Sequence, residues 1–431
     1  MLSTIKNLKF TNIWQNFFYL GIFLLPTASF FGTLILLSCL IQKIIINKKS
    51  FFKDSWNIPM YLMIFFILSS TLTNYLFLPK LLNNVLEPGL MWLGLINWIP
   101  FLISFRGFQY YLNSFEKRIN FSKYLLSGTI PILITGISQY WFKIYGPFST
   151  LKGMLIWYQR EIGPGDGLTS IFSNQNYAGM WLALVWPFCL GLLIRPKNIF
   201  KFFLNLSILT TFSLILILTN SRNAIIGYFT AITFVLGYKS IIIIAVLIMI
   251  SLILGNLIFP LLFKDFMDYF KKLIPKNFIN KFNKFGINNL TEYPRIEIWS
   301  KTLKLILERP IFGWGAASFP VLYLIKEGIN NAQHTHNLFF ELSINFGVIT
   351  ALIFLGFLSA ILITSYKSIF LDKNNNKILN RAWFTSAFIF FITSLNDITY
   401  FDLRISITFW IILSGLRCII FENSILKKNL L

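Results

Sequence analysis

The chain has two histidines, His334 and His336, and both fall in the stretch NAQHTHNLFFELSINFG at 331–347. A neutral imidazole can act as a general base near neutral pH, which makes His336 the candidate for proton removal. It directly precedes a long apolar run, with Asn337 beside it. A helix-capping or interfacial histidine is the plainer alternative. The pair also suggests a metal site. Residues two apart diverge on a helix, however, and no third histidine and no cysteine lies near in sequence, so no metal is expected.

Three arginines are the other candidates. Arg222 in LTNSRNAIIG stands between apolar runs, where a charge is costly and an anionic partner is favoured. Its guanidinium offers paired donors suited to phosphate, although snorkelling to an interface would also satisfy it. Arg295 in YPRIEIW follows Glu292 by three residues, so a surface ion pair is its default. Arg160 in WYQREIGPGDG reads equally as a loop charge or an anion ligand. Phosphate-binding glycine loops, nucleophile elbows and paired acidic metal-nucleotide ligands are missing from the sequence, so no cofactor is expected.

The elements that must position these residues belong in lipid. Of 431 residues, 56% are hydrophobic, 18% aromatic and only 13% charged, against about 25% charged in soluble domains. Twelve transmembrane helices are predicted, at 13–25, 28–46, 58–78, 90–108, 122–142, 175–194, 200–219, 223–238, 240–263, 337–366, 382–396 and 403–421. The first lacks a cleavage-site pattern and reads as a retained helix rather than a removed signal. From Leu338 to Tyr366 a continuous helix would run about 43 Å, longer than a hydrocarbon core of about 30 Å, so its start and His336 project to the interface. The three cysteines lie in or beside apolar runs without pairing spacing and read as buried thiols.

The net charge of +22 comes from basic residues clustered in short loops, which fits the positive-inside rule better than a nucleic-acid face. With both termini cytoplasmic, the inner segments hold 21 Lys and Arg and the short outer loops hold 6. That orientation puts outside a medium loop at 143–174, the histidines and a large loop at 264–335. The large loop carries an amphipathic helical stripe, Ile298, Leu303, Leu305 and Ile306, then a glycine-punctuated turn FGWGAASF. It reads either as a solvated structural loop or as a lid over an outward-facing cavity. The chain divides into N-terminal helices with the medium loop (1–170), a central core with the large loop (171–366) and C-terminal helices (367–431).

Four stretches resemble the O-antigen ligase and polymerase superfamily: FSNQNYAGMWLALVWP at 172–187, TNSRNAIIG at 219–227, PRIEIWSKTLKLILERPIFGWGAASF at 294–319 and HTHNLFFELSINFG at 334–347. They occur in the family's order. The resemblance implies an all-α, multi-pass membrane protein of GT-C-like type in a bacterial inner membrane. It implies metal-independent transfer of a glycan from a polyprenyl pyrophosphate carrier to a glycan, lipid-core or protein acceptor at the periplasmic face. By motif position His336 is the base, with Asn337 beside it; Arg222 and Arg295 hold the pyrophosphate, and Asn176 lines the site. Asn345 stands where the family often has glutamate and Thr350 where it often has glycine; either Glu341, one turn after Asn337, compensates for the first, or the chain uses another acceptor. Transport, a label some members of the superfamily have carried for bicarbonate, is the alternative. It calls for polar groups at mid-membrane, whereas the candidate groups here gather at outer helix ends.

Overall fold

The computed structural model describes residues 2–46, 54–77, 88–194, 196–237, 294–328, 332–372 and 377–428, with scattered positions in 239–250. The expected helix at 240–263, loop residues 264–293 and Glu292 lie largely or wholly outside the described residues.

Helices dominate, because lipid leaves no water to satisfy a peptide group and helical bonding is local. In chain order they are α1 (Leu2–Leu24), α2 (Ser29–Ile46), α3 (Ile58–Phe77), α4 (Pro88–Leu93), α5 (Ile99–Gly107), α6 (Gln109–Leu112), α7 (Phe115–Trp141) and α8 (Gln175–Leu193). Then come α9 (Ile199–Leu218), α10 (Arg222–Ala231), α11 (Pro294–Glu308), α12 (Phe319–Glu327), α13 (Leu338–Phe346), α14 (Val348–Tyr366), α15 (Ile378–Ser394) and α16 (Leu403–Lys428). Among the described residues, seven helical segments are long and apolar enough to cross a membrane. Ile58, Leu62, Phe65 and Leu72 stand exposed along α3, a pattern that lipid tolerates and water does not. The chain is a predominantly helical membrane protein. One small exception to the all-α expectation is a hairpin in the medium loop, Phe148–Thr150 paired antiparallel with Leu155–Trp157.

One predicted span is broken, and another, still a single candidate span at Gly89–Gly107, changes its winding. The run 90–108 is divided into α4, a 3₁₀ turn at Gly94–Asn97 and α5. The run 337–366 is divided at Gly347, whose φ of +91° lies in the left-handed region that glycine tolerates. A Cβ there would sit 1.9 Å from the Ile311 carbonyl oxygen, so the break also admits a close approach of the preceding strap. The span is therefore α14 with its short continuation to Leu371, and the residues before it form the separate helix α13.

The chain falls into two compact units. The first comprises residues 1–124, 291–375 and 390–431. Its bundle core is aromatic: Trp410 on α16 is fully buried against Phe105, Phe354 and Phe357. Outside the spans, α11, α12 and α13 share a smaller apolar cluster of Ile298, Leu305, Ile306, Trp314, Phe319 and Leu322. Three of the four predicted stripe residues are buried there, whereas Leu303 is exposed.

The second unit comprises residues 125–290 and 376–389. It is built around α8, buried along nearly its whole length from Ala178 to Leu190. Trp186 on α8 stacks on Phe212 of α9 and Tyr228 of α10.

Candidate functional site

The HTHN segment is not helical. It is a loop entering α13, and His336 itself has φ +54°, an uncommon backbone state for a residue with a Cβ. Several bonds impose it. Asn337 caps α13, its Oδ1 accepting from the Phe339 and Phe340 amides at 2.9 and 3.2 Å. Its Nδ2 donates to the Leu395 carbonyl at 3.0 Å, tying the loop to the connection between α15 and α16. Thr335 Oγ1 donates to the Asn337 carbonyl at 2.8 Å, and Trp299 Nε1 on α11 donates to the Thr335 carbonyl at 2.9 Å.

The far end of α13 is held as firmly. A helix leaves its last carbonyls without internal partners. Here the Trp314 amide donates to Ile344 and the Gly315 amide to Asn345, at 2.7 and 3.0 Å. The strap that supplies them is anchored on α3: Asn74 Nδ2 donates to the Phe312 carbonyl at 3.2 Å, and Arg309 donates to Asn74 Oδ1 at 2.8 Å. The glycine-punctuated turn read from sequence is thus a clamp on the histidine-bearing helix.

At the centre is a residue the sequence reading passed over. His336 Nδ1 lies 3.1 Å from Asp397 Oδ1 in the α15–α16 connection. With Nδ1 protonated and donating to the carboxylate, Nε2 carries the lone pair, the tautomer a base requires. The Asp397 side chain is only 6% exposed, and the Ile398 amide donates to the same oxygen at 3.0 Å. Arg295 at the start of α11 reaches the other carboxylate oxygen at 4.0 Å. Burial pushes the Asp397 carboxyl up, but the His336 hydrogen bond and the Arg295 charge outweigh it and hold it below the usual range. Asp397 had one sequence signal: it is an acid in a short loop between apolar runs of a chain with only 16 acids.

His334 is half-buried, its Nδ1 accepting the His336 amide at 3.3 Å. Burial and the neighbouring His336 lower its pKa from 6.5 to about 4, so it is neutral at pH 7. The expectation that the two histidines diverge fails because neither is helical: their ring centroids are 4.2 Å apart. Behind them Glu341 is buried on α13, accepting from the Thr335 amide at 3.1 Å and from Asn345 Nδ2 at 3.2 Å. The two residues that depart from or compensate for the family pattern therefore touch. His334, Glu341 and Asn345 line a cavity of about 470 Å³ with Trp98, Phe346 and Phe401.

The other three candidates gather in the second unit. Arg222 is the first residue of α10 and is exposed at that helix's N-terminus. Asn176 lies in the first turn of α8, its amide donating to the capping Asn174 at 2.7 Å. One turn on, Gly179 packs against Ser221 and Ala224, which brings the start of α8 to the start of α10. The loop carrying Arg160 folds over both. Gln139 Nε2 donates to the Arg160 carbonyl at 2.6 Å, and Asn220 Nδ2 donates to the Gly165 carbonyl at 3.0 Å. Thus the first unit joins His336, Asn337 and Arg295, and the second joins Arg160, Asn176 and Arg222.

Multiple apolar helices, a helical clamp and an imidazole held by a carboxylate define a helical membrane protein with a built histidine loop. Residues 206–355 match the family model described as O-antigen ligase (Wzy_C), about a third of the chain. That match supports the resemblance to the O-antigen ligase and polymerase superfamily over those residues. The matched segment contains Arg222, Arg295 and His336; Asn176 precedes it and Asp397 follows it. No curated protein matches the chain.

Proposed function

We propose that this protein transfers a glycan from a polyprenyl pyrophosphate carrier to an acceptor hydroxyl, at the periplasmic face of a bacterial inner membrane. His336 Nε2 takes the hydroxyl proton, and the oxygen attacks the anomeric carbon. The bond to the pyrophosphate oxygen breaks, and the carrier leaves as polyprenyl pyrophosphate. Arg222 neutralises charge on the leaving group, with Asn176 and Arg160 lining that end; the helix N-terminus at Arg222 adds a favourable dipole. Arg295 divides its charge between the pyrophosphate and Asp397. Asn337 positions His336, since its side-chain amide is engaged in capping and in the Leu395 bond. A pyrophosphate is already a good leaving group, so base and positive charge suffice without a metal ion.

The observation that carries this reading is the Asp397–His336 pair, which presents Nε2 as an acceptor. The test is transfer from lipid-linked donor by purified wild type, His336→Ala and Arg222→Ala, each with and without chelator. Loss in both variants and indifference to chelator are expected. Full activity of His336→Ala would remove the base assignment, and loss on chelation would remove the metal-free mechanism.

A further inference from the structure

His334, His336 and Asp397 together offer something that base chemistry leaves unused. One ring nitrogen of each histidine and one carboxylate oxygen all lie within 4.8 Å of one another. The rings meet at 67°, so they are not stacked face to face. Two imidazoles and one carboxylate are the donor set that zinc-class cations take, with a fourth position left for water. Hard ions such as magnesium or calcium want six or more oxygens, and this set supplies a single carboxylate.

The geometry is close to closing. Zinc–nitrogen bonds of about 2.0–2.1 Å put tetrahedral ligands about 3.4 Å apart, so side-chain movement of roughly an ångström completes the site. The scaffold favours it: the Ile398 amide orients Asp397, and the His336 amide orients His334. Arg295 opposes a cation, but at 4.0 Å it faces the other Asp397 oxygen from the one His336 uses.

We propose that His334, His336 and Asp397 form a binding site for one zinc-class divalent cation, and that occupancy switches the protein off. The second half rests on the reading of His336 as the base. A cation on His336 Nδ1 moves the imidazole proton to Nε2, which then donates where it had accepted. A cation on Nε2 occupies the lone pair outright. Either way no base remains, and no proton or electron is left over.

The test begins with binding, which needs no turnover. Prepared without a histidine tag, the chain of 431 residues has two imidazoles, His334 and His336. Zinc ion is titrated calorimetrically into protein in nanodiscs, with magnesium as the control. One equivalent of zinc and no magnesium uptake are expected, with affinity falling at least tenfold in His334→Gln and in Asp397→Asn. X-ray absorption of the zinc-loaded wild type should count two imidazoles, a readout that survives if a variant does not fold. Uptake well below one equivalent, one imidazole or none, or unchanged affinity in both variants would overturn the site. In a transfer assay zinc should suppress turnover and excess chelator restore it. Zinc bound at full stoichiometry with transfer unaffected would leave the site standing and overturn both the switch and the base role of His336.

Discussion

At the scale of single residues, the Asp397 carboxylate selects which nitrogen of His336 carries the proton. Asp397→Asn keeps the volume but no longer favours Nδ1–H. Its turnover is expected to fall about 10²- to 10⁴-fold, the range a general base contributes. KM for donor should not rise, since Asp397 competes with the pyrophosphate for Arg295, and the pH–rate profile should shift, which loss of packing alone would not produce. Glu341 gives a second prediction. Burial raises its pKa above the ordinary range, against the hydrogen bonds from Thr335 and Asn345. A folded-state pKa above the unfolded one contributes stability that is fully present below the unfolded value of about 4.3 and fades as pH rises through the folded value. Glu341→Gln should therefore leave the thermal midpoint unchanged near pH 4 and raise it near pH 8. The replacement fits, because Asn345 Oδ1 is buried without a partner and a flipped Asn345 amide would accept from the new glutamine. Equal midpoints for both proteins across that range would sink this account.

At the scale of elements, the break at Gly347 decides what the histidine loop rests on. Without it α13 and α14 would be one rod, and the clamp from Pro310 to Gly315 would have no carbonyls to seize. Gly347→Ala combines a φ of +91° with a contact to the Ile311 oxygen that cannot be accommodated in place. A cost of at least about 2 kcal/mol follows from backbone strain and overpacking together. It should read out as a lower thermal midpoint in detergent and as reduced transfer, although the substitution touches no reacting group. An unchanged midpoint would mean that the break is not held by this glycine. A continuous 29-residue rod would have carried His336 to the interface, but the structure divides that run at Gly347. The loop's conformation now rests instead on capping by Asn337 and on the bond from Trp299.

At the scale of the whole molecule, topology makes the strongest claim that can be checked. The topology proposed from the charge bias has the histidine loop outside and both termini inside. Gln333 is exposed beside His334, and the chain's own thiols, Cys39, Cys189 and Cys418, are all buried. A Gln333→Cys variant in intact cells should react with a membrane-impermeant maleimide over a low wild-type background. A cysteine added at the C-terminus should react only after the membrane is opened. Reversed labelling would place the chemistry in the cytoplasm and remove the periplasmic assignment. A second cavity of about 450 Å³, lined by Asp54, Arg106 and Arg417, opens near the opposite end of α16 from Phe401. Leu403, two residues after Phe401, and Arg417 are separated by about 21 Å of helix rise, so that cavity is no part of the histidine site.

The sequence by itself determined the solvent, the helical class and the candidate base. Those follow from composition, from runs of apolar residues and from the scarcity of histidine, all of which are local or additive properties of a chain. It also located the stripe of α11 and the glycine turn, because helical periodicity and glycine spacing are written in neighbouring residues. Only the tertiary structure supplied Asp397, which lies 61 positions from His336 and meets it through the α15–α16 connection. It alone divided 337–366, because an apolar run reads the same whether or not one glycine within it turns left-handed. It alone brought the two imidazoles together, since spacing in sequence fixes side-chain direction only where the backbone is regular, and at His336 it is not.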